Sequence, residues 1–154
     1  MTYTPLIEEI ATYLQATLVP ATYGTQGLVS GVNMFLARYP AEAPDAAVVI
    51  QQYQGKAPTF TMGAGGNSAI EYPKVQIEVR GLREDYPTAY AWSRLIRNTL
   101  TGVILPNPTY FPNVLRIESL GIPNPIGYDE IQRPKFTMNF TFTLNVGSDG
   151  LPMP

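Results

Sequence analysis

The sequence predicts an α+β domain in which two main helices pack on a twisted mixed or antiparallel sheet of about four to five strands. Three observations carry that prediction. From Phe136 to Val146, the apolar residues Phe136, Met138, Phe140, Phe142, Leu144 and Val146 alternate with Thr137, Asn139, Thr141, Thr143 and Asn145, the period of a long half-buried strand. Lys74 to Arg80 alternates likewise, with Val75, Ile77 and Val79 on one face and Lys74, Gln76, Glu78 and Arg80 on the other. Two stretches, Thr4 to Leu18 and Tyr86 to Leu100, instead repeat their apolar residues at helical spacing.

In chain order, Thr4 is placed to cap the first helix, Pro5 suits its first position, and Glu8 and Glu9 lie near the positive end of its dipole. Leu6, Ile7, Ile10, Leu14 and Leu18 form its packing face. Val19 to Ser30, with Pro20, Gly24 and Gly27, reads as an irregular connection, and Val32 to Leu36 as a short strand. Arg38 to Pro44 is an extended turn, because each of its prolines steers the preceding residue away from the α region. Ala47 to Tyr53 is rich in β-branched residues and reads as a strand that Gly55 and Pro58 punctuate. Gly63 to Ser68 is expected to be a flexible loop; as a phosphate cradle it lacks the Lys-Ser or Lys-Thr that would have to follow.

Asp85 is placed to cap the second helix, Pro87 is tolerated in its first turn and Gly102 ends it. Tyr86, Ala89, Ser93, Ile96 and Leu100 form its stripe, and Trp92, Leu95 and Thr99 widen the arc. The helix is therefore either sandwiched within the domain or also meets a neighbouring subunit, with Trp92 and Leu95 as candidate contacts. Leu105 to Pro112 is a Pro-rich connection, and Val114 to Leu120 a strand with Leu115 and Ile117 on its inner face. The stretch IPNPIGYDEIQRP before the last strand is a connection long enough to be a functional loop. The last strand carries no charge on its polar face, so it is expected either between two neighbours or as a surface used in subunit assembly. Residues 1–147 are expected to form one domain and 148–154 a flexible tail.

The composition excludes much chemistry. Among 154 residues there is no His and no Cys, which removes the commonest general base, the commonest transition-metal ligand, thiolate sites and disulfides. Ser68, Ser93 and Ser119 have no base at a useful spacing. The carboxylate doublets Glu8–Glu9 and Asp129–Glu130 read as dipole partners and turn residues, and one doublet falls short of a calcium shell. No catalytic residue, cofactor or metal site is therefore expected. The net charge is −2 and the 10 basic residues are scattered, which argues against a nucleic-acid grip. No apolar run approaches the roughly 20 residues of a membrane span, and MTYTPLIEEI lacks the regions of a signal peptide, so assembly in a cytosol is expected.

Three motifs in order, MFLARYPAEAPDAAVVIQQYQGKAP, YPKVQIEVRGLREDYPTAYAWSRLIRNTLTG and IPNPIGYDEIQRPKFTMNFTFTL, resemble those of phage minor capsid or tail-terminator (tail-completion) proteins. The likeness covers about Met34 to Val146. It implies a structural virion protein of the neck, a homohexameric ring that caps the tail tube and joins it to the head connector, with genomic DNA passing through the lumen without specific binding. It further implies candidate interface residues: Arg38 in the first motif; Tyr53 and Tyr72 flanking a loop between strands; Arg80, Arg83 and Asp85 at the strand-to-helix junction; and Asp129, Glu130 and Arg133 in the turn before the last strand. A heterologous ring contact needs complementary patches on opposite sides of one subunit, and charged turns can supply such halves. A head-completion stopper is the alternative from the same setting, and a small ligand-binding domain the alternative from another class.

Overall fold

The computed structural model describes residues 4–20, 27–63 and 66–147. Its elements are α1 (Leu6–Thr17), β1 (Met34–Leu36), β2 (Ala47–Gly63), β3 (Gly66–Arg80), α2 (Tyr86–Thr101), β4 (Val114–Ser119), β5 (Asn124–Tyr128) and β6 (Pro134–Gly147). The sheet has six strands, slightly more than expected, in the order β1-β2-β3-β6-β4, with β5 also on β6. β1 runs parallel to β2 and every other pairing is antiparallel, so the sheet is mixed.

Both helices cover one face of this sheet. Leu6, Ile10 and Leu14 of α1 and Ile96 and Leu100 of α2 share a single core with Val48, Ile50, Val75, Ile77, Val79, Met138, Phe140 and Phe142. The alternation of β3 and β6 thus does what it predicts: one face of each strand is sealed under the helices. β6 lies between β3 on one side and β4 with β5 on the other, so its uncharged polar residues belong to a central strand.

Several local expectations are corrected. Thr4 does not cap α1: the helix starts at Leu6, no side chain caps it, and the Pro5 carbonyl accepts from the amides of Glu8 and Glu9 instead. Gly55 and Pro58 do not end β2. The strand runs 17 residues and pairs with β3 up to Gly63↔Gly66, with register breaks between Tyr53 and Lys56 and between Lys56 and Thr59 that absorb both residues. The loop expected over Gly63 to Ser68 is thereby reduced to a hairpin end, of which residues 64 and 65 lie outside the described residues, as does the expected tail 148–154.

Leu115 does not face inward. A break in register between Val114 and Arg116 makes it the extra residue, so Val114 is buried and Leu115 is exposed, while Ile117 packs partly against the core. The Pro-rich stretch Leu105 to Pro112 carries Phe111 into the core, where its ring lies 5.2 Å from that of Tyr13 and 6.4 Å from that of Phe142. The stretch before β6 is not all loop: Asn124 to Tyr128 forms β5. β4 and β5 follow one another along the same side of β6, Val114 opposite Leu144 through to Tyr128 opposite Pro134, as one long interrupted edge.

Candidate assembly surfaces

The charged residues singled out in the sequence divide between those the fold uses internally and those it leaves at the surface. Arg80, a candidate interface residue that ends β3 on the polar face, is buried within the subunit. The turn before β2 folds over it: Arg80 Nε donates to the Asp45 carbonyl at 2.9 Å and Nη2 to the Pro44 carbonyl at 2.8 Å. Its guanidinium stacks 4.2 Å from the Tyr39 ring centroid. Burial and the neighbouring Arg133 charge lower its pKa, while Tyr39, Asp129 and Asp45 oppose that shift.

Beside it, Arg133 Nε donates to Asp129 Oδ2 at 2.6 Å and Arg133 Nη1 to Asp45 Oδ1 at 2.9 Å. Asp129 Oδ1 also accepts from the amides of Ile131 and Arg133, closing the turn that leads into β6. Burial works to raise the Asp129 pKa, but the hydrogen bonds from Arg133 and Ile131, with the Arg133 charge, hold it below the ordinary carboxylate value. Lys135 pairs with Glu78 at 3.3 Å on the adjoining strands. Arg80, Asp129 and Arg133 therefore build one end of the sheet together with Tyr39, Asp45 and Lys135, three residues the sequence reading missed. The register Arg80↔Lys135 joins them, and no local spacing announces it.

Asp85 caps α2 as expected, accepting from the Thr88 amide at 3.3 Å. Trp92 and Leu95 are half-buried against the core, the placement of a helix packed within its own domain. By contrast Arg38, Arg83 and Glu130 are exposed.

A second group lies along the β2–β3 pair. Tyr53 donates its hydroxyl to Asn139 Oδ1 at 3.1 Å, within a ladder in which Gln51 donates to Gln76 and Gln76 to Asn139. Burial raises the Tyr53 pKa. Tyr72 sits across from Lys56, whose Nζ lies 5.1 Å from the ring centroid, and its hydroxyl is 3.5 Å from Thr59 Oγ1. Gln52, Lys56, Pro58 and Glu71 join Tyr72 around a shallow open groove. Tyr53 and Tyr72 thus both lie within this ribbon, because most of the stretch expected as a loop between them is itself paired strand.

The third surface is the β4–β5 edge. All five residues of β5 are exposed, including Ile126 and Tyr128, and Leu115, Leu120 and Ile122 add apolar surface beside them. Sequence reasoning passed over this strand because Pro125 and Gly127 read as loop residues. Among the described residues no group of three or more metal-ligating side chains comes together, and no helix is long and apolar enough to cross a membrane.

A family model described as bacteriophage tail terminator protein matches residues 22–146, a span that takes in α2 and the sheet up to Val146 of β6. No curated protein matches the chain.

Proposed function

The chain belongs to the bacteriophage tail terminator family, structural proteins of the virion tail, and on that premise we propose that it acts by recognition alone, as a homohexameric ring seated on the last ring of the tail tube. The ring halts tube polymerisation and offers its opposite face to the head connector. The observation that carries this reading is the family match itself, which takes in the six strands, up to Val146 of β6, and the turns between them. A weakly negative chain with scattered basic residues suits a lumen through which DNA slides without being gripped.

Within this reading the residues have separate tasks. Arg80, Asp129 and Arg133 shape one end of the sheet and Asp85 fixes the start of α2, while exposed Arg38, Arg83 and Glu130 act as the contacting charges. Tyr53 and Tyr72 present the β2–β3 ribbon, while Trp92 and Leu95, packed partly against the core, offer a neighbour only the sides they leave exposed. No bond is made or broken, so no catalytic group is required.

The test is loss of the gene in the phage that encodes it. Negative-stain images of the lysate are expected to show headless tails whose tubes exceed the normal length, with complementation restoring both length and heads. Normal-length tubes attached to heads would overturn the reading. Cryo-electron microscopy of intact particles is expected to place the chain as a sixfold ring between tube and connector.

A further inference from the structure

The ribbon and the β4–β5 edge are the two free borders of one sheet, on opposite sides of the molecule. β1 occupies β2 only at Val48, Val49 and Ile50, and from Gln51 to Gly63 no described strand lies on that side. Across the sheet, the outer side of β4 and β5 is likewise unpaired among the described residues. Exposed strand edges carry unpaired N–H and C=O groups, and they recruit another strand unless something blocks them.

We infer that copies of this chain join edge to edge, the free border of β2 in one copy taking the β4–β5 border of the next as its neighbouring strand. The inference rests on the proposed ring and names the contact that closes it. Three observations carry it. The first is direction. β2 is parallel to β6, since each is antiparallel to β3, whereas β4 and β5 are antiparallel to β6. In a ring whose axis runs along the strands, rotation preserves their directions, so successive copies meet β2 against β4–β5 in antiparallel pairing, which is the more stable kind.

The second is charge. Lys56 is the one charged residue from Gln51 to Gly63, whereas along the β4–β5 border Arg116 pairs with Glu118 and Arg133 with Asp129, and Arg97 reaches Ser119 and Gly121, so that border is close to balanced. Two β2 borders would oppose their Lys56 charges, which favours the pairing of unlike borders. The third is the placement of edge-blocking devices. Pro58 and two register breaks on β2, and a break between Pro125 and Gly127 on β5, interrupt the two borders, so a partner strand pairs along the regular stretches between them. Because each copy offers one border of each kind, the contact is head to tail and propagates from copy to copy, closing where its rotation divides a full turn, rather than ending at a dimer.

The chain has no Cys, so introduced thiols report contacts without background. Gln52→Cys, Gln54→Cys or Thr59→Cys is combined with Arg116→Cys, Ile126→Cys or Tyr128→Cys, and Arg94→Cys on the exposed side of α2 serves as control. Sedimentation and mild oxidation are read on purified protein and on tails isolated from phage carrying each variant. Double variants spanning the two borders are expected to give a denaturing-gel ladder of whole-number multiples of the chain, whereas each single variant and the control remain monomers. Dimers from one β4–β5 variant alone would overturn the head-to-tail arrangement. Incorporation into tails or a sedimenting oligomer with no ladder from any pair would overturn the edge contact and leave the ring standing. A monomer that never enters tails would overturn both.

Discussion

Gly55 on β2 runs so close to Tyr72 on β3 that a Cβ at position 55 would stand 2.5 Å from the Tyr72 carbonyl oxygen. The obstacle is main chain, so no rotamer change relieves it, and it sits where the register slips between Tyr53 and Lys56. Gly55→Ala is expected to cost about 1–3 kcal/mol, the usual penalty for forcing a methyl group into a filled space. Urea unfolding of wild type and variant checks this; an unchanged midpoint would mean that the two strands part at little cost.

Arg80 is the charged residue whose removal is expected to damage the fold first. Two carbonyls depend on its forked guanidinium, and Tyr39 covers it. Arg80→Ala leaves both carbonyls unsatisfied and is expected to cost about 1–3 kcal/mol. Arg80→Lys is expected to recover less than half of the loss, because an ammonium does not reproduce the fork. Thermal denaturation of the three proteins decides, and equal stability of Lys and Arg at this site would refute the geometric account.

Asp129 holds the turn into β6 through both amides and the Arg133 guanidinium. Asp129→Ala is expected to lose about 1–3 kcal/mol at neutral pH. Because the folded-state pKa lies below the ordinary value, the ionised group adds stability above about pH 4, and that stability is lost as pH falls through the folded value. The gap between wild type and variant should therefore narrow in acid. A gap that stayed constant from pH 7 to pH 3 would show that the charge contributes nothing.

How far the sequence discloses this molecule depends on whether a residue's partner is local. α2 with its Asp85 cap, and the sealed faces of β3 and β6, follow from periodicity, because burial of one face is the property that periodicity measures. β5 was hidden: it borrows its order from β6 and shows neither alternation nor β-branched residues apart from Ile126. Pro58 signals an end to β2, but its missing N–H costs nothing within the subunit, where no described strand lies on that border. Leu115 reads as inward until the slip beside it shifts the count by one, which turns a side chain to the other face. Arg80 fits an outward alternation, and only the turn folded above it from elsewhere in the chain makes it buried.

Glu9 shows the same limit energetically. Its place in the first turn of α1 favours ionisation, but burial outweighs the dipole and raises its pKa from the ordinary 4.5 to about 7. The folded chain then holds a proton that the unfolded chain has released, so stability falls as pH rises from about 4.5 through 7 and levels off above. Glu9→Gln is expected to remove that slope and to be more stable than wild type at pH 8, by on the order of 1 kcal/mol once solvent screening of a half-buried group is allowed for. Denaturant midpoints at pH 5.5 and 8 test it; a variant that tracks wild type at both would exclude Glu9 as the source.

Arg38, Arg83 and Glu130 supply the separation between folding and assembly. All three are exposed, and among the described residues none makes a side-chain hydrogen bond or ion pair. Arg38→Glu, Arg83→Glu and Glu130→Lys are each expected to shift unfolding by no more than about 0.5 kcal/mol, as surface changes away from packed features do. If these charges meet a neighbouring subunit or the tube, the same variants reduce the yield of normal-length tails, and pairing Arg83→Glu with Glu130→Lys restores it only where those two residues face each other across the contact. Tail yield and length from complemented phage give the measurement. Full yield from all three single variants would remove the charged turns from the interface and leave the sheet borders to hold the ring.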